Sequence, residues 1–285
     1  MTPRLIARLD IKGPDLVKGI HLEGLRVLGS PRTFARHYYE TGVDELIYQD
    51  VVASLYQRNS LHDFVRATVR DTFIPLTVGG GLRSLADIRA VLRAGADKVA
   101  LNTAAVARPE LLREASRVFG ASTIVVAIEA IRQPDGRYLA STDCGRELTS
   151  LEVVSWAIQA AALGAGEILL TSVDREGTGE GFDLELTRAV SQAVPIPVVA
   201  HGGAADPGHL VAALTEGGAD AVAVASMLHY SVAPDLESAA GDERAGNQEF
   251  LRQGGRHARF RGQSVPTLKQ ALRDHGIASR PEPRG

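Results

Sequence analysis

The chain has 285 residues, 45% of them hydrophobic and 23% charged, and a formal net charge of −3. This is ordinary globular composition, enough for one large domain or two small ones, and a faintly acidic chain draws in neither nucleic acid nor an anionic membrane over long range. Cys144 is the only cysteine, which excludes an internal disulfide and fits a reducing cytoplasm.

Met1-Thr2-Pro3-Arg4 leads straight into a short apolar run carrying Arg8 and Asp10, which is not the pattern of a signal peptide. No uncharged apolar stretch approaches the ~20 residues that span a bilayer. Eight short apolar runs, each bounded by Gly, Asp or Ser, read as strands: Leu5–Asp10, Leu46–Val51, Ile74–Val78, Lys98–Leu101, Thr123–Ile128, Ile168–Ser172, Val198–Ala200 and Ala221–Ala225. Helical spacing falls between them, over Phe34–Thr41, Leu61–Asp71, Leu85–Ala94, Pro109–Phe119, Leu151–Leu163, Leu184–Ala193 and His209–Glu216. Strand–helix alternation repeated eight times predicts an α/β fold, a single (β/α)8 barrel over residues 1–285, with an open doubly wound sheet as the alternative. Lys12–Gly29 is long for a βα connection and reads as a mobile lid or as a static surface hairpin. Residues 231–262 are rich in Gly, Asp, Glu, Arg and Gln and read as an extended insertion, either a solvated loop or a binding surface, before a last helix at Val265–His275. The tail from Arg280 to Gly285 reads as mobile.

The first four βα units are echoed by the second four. Gly42-Val43-Asp44-Glu45 returns as Gly164-Ala165-Gly166-Glu167 at an offset of 122, and Gly80-Gly81 as Gly202-Gly203 at 122. Gly95-Ala96-Asp97 returns as Gly218-Ala219-Asp220 at 123, and Asp10 and Glu129 both end apolar strands 119 apart. Such self-similarity marks two half-barrels, about residues 4–120 and 121–228, related by a pseudo-two-fold axis. A site built in one half then has a counterpart across the mouth.

Barrel enzymes work at the carboxyl ends of their strands. The residues there include Asp10, Asp50, Gly79-Gly80-Gly81, Asn102-Thr103, Glu129, Thr171-Ser172, Gly202-Gly203 and Ala225-Ser226. The two glycine clusters read as anion cradles: backbone N–H groups without side chains in front of them bind phosphate, and Asn102, Thr103 and Ser226 add donors one strand later. The plainer reading is tight strand–helix turns. Asp10 and Glu129 face each other across the mouth and suit a general acid and base, or else a cap or rim salt bridge with Lys12, Lys18 or Arg132.

Several strings resemble the cyclase subunit of imidazole glycerol phosphate synthase: Leu9-Asp10-Ile11-Lys12, Val17-Lys18-Gly19, Thr77-Val78-Gly79-Gly80-Gly81, Asn102-Thr103-Ala104-Ala105-Val106, Gly164 through Ser172, and Asp174-Arg175-Glu176-Gly177-Thr178. The resemblance runs from about Arg4 to Leu228 and returns in the last helix. It implies a lyase of histidine biosynthesis, working in the cytoplasm with a glutaminase subunit as a heterodimer. Ammonia from glutamine would pass through the barrel and join a bisphosphorylated ribulosyl-aminoimidazole intermediate, giving imidazole glycerol phosphate and aminoimidazole carboxamide ribotide. It implies Asp10 and Glu129 as catalytic residues and no metal or other cofactor. Substrate and phosphate would be held by Lys18, Asp50, Gly80, Gly81, Asn102, Thr103, Thr171, Asp174, Gly177, Gly202, Gly203, Ala225 and Ser226, and ammonia would enter past Arg4, Glu45, Lys98 and Glu167. A stabilising ring of salt bridges is the other use for those four charges, and is compatible with the first.

The sequence departs from that pattern at Glu129, where the family has aspartate; at His201, where it has a small residue; at Gly13-Pro14-Asp15 in the lid; and over 231–262. Other readings are a related branch that delivers ammonia to a sugar in surface-polysaccharide synthesis, an idle barrel that scaffolds the glutaminase, and the related isomerase barrel, which handles no ammonia. Arg8 shares the strand face of Asp10, so it points into the barrel unless the strand phase turns it outward to snorkel among the helices. An inward guanidinium needs a carboxylate. Glu129 and Asp50 are the candidates, and the expectation is that Arg8 keeps Glu129 ionised.

Overall fold

The computed structural model describes residues 2–53, 62–240 and 262–281. Eight parallel strands close on themselves: β1 (Arg4–Lys12), β4 (Glu45–Asp50), β5 (Leu76–Gly79), β6 (Lys98–Leu101), β7 (Ile124–Arg132), β10 (Glu167–Ser172), β11 (Val198–His201) and β12 (Ala221–Val224). β1 pairs with β12 at one join and β7 with β10 at the other, so no barrel edge is left open. The fold is a (β/α)8 barrel, as the alternation predicts.

Period two explains both cores. Along β1, Leu5, Ala7, Leu9 and Ile11 face the helices and join the outer core. Ile6 faces inward, and packs with Ile47, Ala100, Ala127, Leu169 and Val199 in the barrel interior. Around the strands run α1 (Pro31–Glu40), α2 (His62–Thr68), α3 (Leu85–Ala94), α4 (Thr103–Ala107), α5 (Glu110–Phe119), α6 (Val153–Ala162), α7 (Leu184–Ala193), α8 (Pro207–Thr215), α9 (Ser226–Ala240) and α10 (Val265–Asp274). Side chains cap several of them: Ser84 accepts from the Asp87 N–H, Asp183 from Leu186 and Asp206 from Gly208. No helix among the described residues is long and apolar enough to cross a membrane.

The half-barrel repeat has a physical cause at the barrel floor. In the Gly-Xaa-Asp copies the aspartate accepts the first N–H of the neighbouring strand: Asp44 from Leu5 at 2.8 Å, Asp97 from Leu76 at 2.8 Å and Asp220 from Val198 at 2.9 Å. The remaining copy carries Gly166, where a Cβ would lie 2.2 Å from the Ala121 carbonyl. Lys269 of α10 reaches Asp44 at 2.7 Å with both side chains buried, which ties the last helix to the floor.

Residues 12–29 form the hairpin that is one of the two readings of this connection, antiparallel β2 (Asp15–Ile20) and β3 (Glu23–Gly29) laid on the end of β1. Three elements differ from expectation. A matching hairpin, β8 (Tyr138–Thr142) and β9 (Glu147–Glu152), extends β7. The helix expected from Leu151 starts at Val153, because Leu151 still belongs to β9. The expected insertion begins later than residue 231: positions 231–240 complete α9, and residues 241–261 and 282–285 lie outside the described residues.

Candidate active site

β1 and β7 each deliver a buried carboxylate to the mouth, Asp10 and Glu129, and the hairpin that follows each strand folds back over it. From β2, the Lys18 ammonium donates to Asp10 Oδ2 at 3.2 Å and ion-pairs with Glu176, with all three side chains buried. Glu176 also holds the hairpin turn: its Oε2 accepts from the Leu22 N–H at 2.9 Å and its backbone carbonyl from the His21 N–H at 2.9 Å. His21 and Leu22 have φ of +53° and +62°, a conformation that non-glycine residues keep only when their surroundings impose it. From the turn after β8, the Gly145 N–H donates to Glu129 Oε2 at 3.0 Å.

Arg8 does point inward, one layer below Asp10, but its direct carboxylate is neither Glu129 nor Asp50. Its Nε donates to Asp10 Oδ1 at 2.9 Å, and its Nη1 lies 3.2 Å from both Thr171 Oγ1 and His201 Nδ1. Asp10 wins because it stands two residues along on the same strand face, whereas Glu129 projects from the opposite wall.

The two carboxyls therefore titrate apart. Burial alone would raise Asp10, but Arg8 and Lys18 hold it well below the usual carboxylate range. Glu129 is pushed up to about 7, by burial first; Arg8 and the Gly145 N–H pull the other way and are outweighed. The expectation that Arg8 keeps Glu129 ionised is thus corrected: Arg8 bonds Asp10 directly, and burial outweighs its pull on Glu129, which is left near its midpoint at neutrality. Burial also pushes the Cys144 thiol up to about 12, which makes it inert.

The glycine clusters of the two halves line two cavities. One, of about 300 Å³, is bounded by Asp50, Gly80, Gly81, Asn102, Thr103 and Glu129, among others. Gly80 has φ +101°, and a Cβ there would stand 2.4 Å from the Asp50 carbonyl. Asn102 Nδ2 donates to the Ser141 carbonyl at 3.1 Å, and Thr103 Oγ1 accepts from the Asp143 N–H at 3.2 Å, so the β8–β9 hairpin borders this cavity. The other cavity, about 10 Å³, is lined by Lys18, Glu176, Gly177, His201, Gly202, Gly203, Ala225 and Ser226. A Cβ on Gly203 would meet the Gly181 carbonyl at 2.1 Å, and one on Gly177 the Gly19 carbonyl at 2.6 Å. The tight-turn reading of these glycines is borne out by the close backbone approaches, and the same glycines line the cavities.

Two expected residues stand apart. Thr171 lies beneath the mouth, bonded to Arg8 and His201 rather than lining either cavity. Asp174 is exposed on the rim, where its Oδ2 accepts from the Arg132 N–H at 2.8 Å. Asp50 accepts from the Val52 N–H at 3.0 Å through Oδ1 while bounding the larger cavity. Sequence reasoning misses Glu176, Asp143 and Gly145 as site residues; all are reached only through the hairpins. At the opposite end of the barrel Arg4, Glu45, Lys98 and Glu167 close a ring of alternating charge. Arg4 meets Glu45 at 3.0 Å and also pairs with Glu167, and Lys98 meets the same two carboxylates at 3.2 and 3.0 Å.

A closed parallel barrel whose buried carboxyls and glycine-lined cavities gather at the carboxyl ends of the strands defines the class as a (β/α)8-barrel protein with its candidate site in the usual place for that fold. A family model described as "Histidine biosynthesis protein" matches residues 4–234, and the chain belongs to that family. Within it, the chain is similar to imidazole glycerol phosphate synthase subunit HisF of Legionella pneumophila, 58% identical over 200 residues that cover 70% of this chain and 94% of the relative. It is also similar to the HisF subunits of Myxococcus xanthus, 50% identical over 81% of this chain and 91% of the relative, and of Thermosynechococcus vestitus, 49% identical over 81% and 84%.

Proposed function

We propose that this chain is the cyclase of histidine biosynthesis: an ammonia-dependent lyase that converts the bisphosphorylated ribulosyl-aminoimidazole intermediate to imidazole glycerol phosphate and aminoimidazole carboxamide ribotide. The observation that carries the reading is the pair of buried carboxyls with opposite protonation, Asp10 ionised and Glu129 raised to about 7, between two glycine-lined cavities. The larger cavity, at Gly80, Gly81, Asn102 and Thr103, has room for one phosphate; the cradle at Gly177, Gly202, Gly203, Ala225 and Ser226 has room for about one water and must widen to take the other.

Addition of ammonia to the ketose carbonyl must expel water. That step needs a proton donor, and Glu129, raised to about 7, is poised to give or take one near neutral pH. The nitrogen must also shed protons, and Asp10 is the anion beside it; its low proton affinity makes it a weak base, better at stabilising a developing cation than at keeping a proton. Ammonia would be supplied by a glutaminase subunit docked at the floor, where the ring of Arg4, Glu45, Lys98 and Glu167 stands at the foot of the apolar interior. A cytoplasmic setting suits a chain whose lone cysteine is a buried thiol. Two conditions test the reading: the chain with the intermediate and ammonium salt, and the chain with its glutaminase and glutamine. Formation of imidazole glycerol phosphate in the first supports it, and its absence in both overturns it.

A further inference from the structure

His201 stands where Arg8 can dictate which of its ring nitrogens carries a proton. Both residues are buried, on β11 and β1, and Arg8 Nη1 lies 3.2 Å from His201 Nδ1. A guanidinium has donors and no acceptor, so the contact is a hydrogen bond only if Nδ1 presents its lone pair. Thr171 Oγ1, also 3.2 Å from Nδ1, is compatible with that tautomer because a hydroxyl rotates to donate. The ring's proton is then on Nε2, which has no hydrogen-bond partner among the described residues, and the ring lines the smaller cavity together with Gly202, Gly203 and Ser226.

We infer that Arg8 and His201 act as a pair, with Arg8 a positioning residue that fixes the Nε2–H tautomer and His201 a neutral N–H donor to the phosphate monoester held in the second-half cradle. The inference rests on the proposed two-phosphate substrate and deepens it. It also gives a reason for the smaller cradle's chemistry. The charges facing His201 there are Arg8 and Asp10 from β1, Lys18 from β2 and Glu176 beyond β10, two of each sign and bonded to one another; His229 of α9 is the remaining titratable neighbour. The cradle has no unanswered cation to offer, so it must bind through N–H donors, and a second-half imidazole supplies one more than the backbone does. Burial, then Arg8 and Lys18, hold the imidazolium of His201 well below its ordinary range, so the ring stays a neutral donor throughout the working pH.

The test uses the full chain with histidine labelled by nitrogen-15. The His201 signals should report a bare Nδ1 and a protonated Nε2 from about pH 5 to 8, and inorganic phosphate should move the Nε2–H resonance. Arg8→Met should yield a mixture of tautomers and a ring that titrates within that range, while His201→Ala should weaken phosphate binding at the cradle by roughly tenfold, the scale of one charge-assisted hydrogen bond. An Nδ1–H tautomer or a charged ring in the unaltered protein overturns the inference without the need for any variant. So does phosphate binding that leaves Nε2 unmoved and is the same in His201→Ala. If phosphate binds neither in the unaltered chain nor in His201→Ala while the Nε2–H tautomer is found, the two-cradle reading of function fails, and this inference, which requires it, fails as well.

Discussion

Glu129→Gln should make the protein more stable and less active at once, and the gain should depend on pH. The Glu129 carboxyl is buried and raised from 4.5 to about 7. Each tenfold change in proton affinity is worth about 1.4 kcal/mol, so the folded state bears about 3 kcal/mol for keeping this group ionised once the pH exceeds both values. The sign follows from which state binds the proton better. The folded form does, so its relative stability is highest below the unfolded value and falls as pH rises through 7. Gln has the same shape, stays neutral, and its carbonyl oxygen can still accept from Gly145. The stability difference between Glu129→Gln and the unaltered protein should therefore be small near pH 5 and larger by roughly 2 kcal/mol near pH 8, read as the change in urea midpoint at constant slope. Turnover of the unaltered protein should fall as pH rises through about 7, as expected of a general acid, and the Gln variant should lose roughly 10²–10⁴-fold. A stability difference that stays level between the two pH values would refute the burial argument, and a turnover that rises through pH 7 would refute the assignment of Glu129 as the acid.

Asp10→Asn should lower turnover by roughly 10²–10⁴-fold and, because Arg8 and Lys18 lose their shared anion inside the protein, should also lower stability by about 3–5 kcal/mol in urea unfolding; near-normal turnover removes Asp10 from the mechanism. Gly80→Ala forces a Cβ within 2.4 Å of the Asp50 carbonyl at φ +101°. It should raise KM for the bisphosphorylated substrate and weaken inorganic phosphate binding, and an unchanged phosphate isotherm would remove the larger cavity as a cradle. Lys98→Met opens the floor ring at Glu45 and Glu167, and should depress glutamine-supported turnover while sparing turnover on ammonium salt; equal losses in both assays would mean the ring is structural only.

The strands are legible in the sequence because each is an apolar run whose alternate residues meet different cores, and the repeat is legible because Asp44, Asp97 and Asp220 do the same work at the floor. The first hairpin is legible only as one of two readings of a long connection, and the second is not legible. Their turns use positive φ at His21 and Leu22 and at Asp143 and Cys144, residue pairs that seldom signal such a turn; the contacts of Glu176 help hold the first of them. Composition reads residues from 231 onward as an insertion, yet α9 runs on to Ala240. At the site, the family pattern names the cradle glycines, while the partner of Arg8 depends on which side chain lies nearest in space. The hairpin residues that answer Asp10 and Glu129 cannot be assigned without their pairing registers.

The half-barrel repeat sets up a symmetry that the side chains then break. Asp10 and Glu129 are 119 residues apart, and the same offset carries Arg8 onto Ala127. Each carboxyl thus has, two residues before it on its own strand, either a guanidinium or a methyl group. Each is covered by the hairpin that follows its strand, but β2 brings the Lys18 ammonium to Asp10, whereas the β8–β9 turn brings only the Gly145 backbone N–H to Glu129. Burial is nearly equal, with 2% of Asp10 and 5% of Glu129 exposed, so desolvation cannot separate them; the cations must. Two charges on one side and a single neutral donor on the other suffice to keep one carboxyl ionised and to let the other take up a proton near pH 7. A barrel with two like halves would offer two like carboxyls and no division between acid and base. Arg8 and Lys18 supply that division, which is why substituting either cation should alter the pH profile of turnover as well as lower stability, since each leaves a buried carboxylate short of a partner.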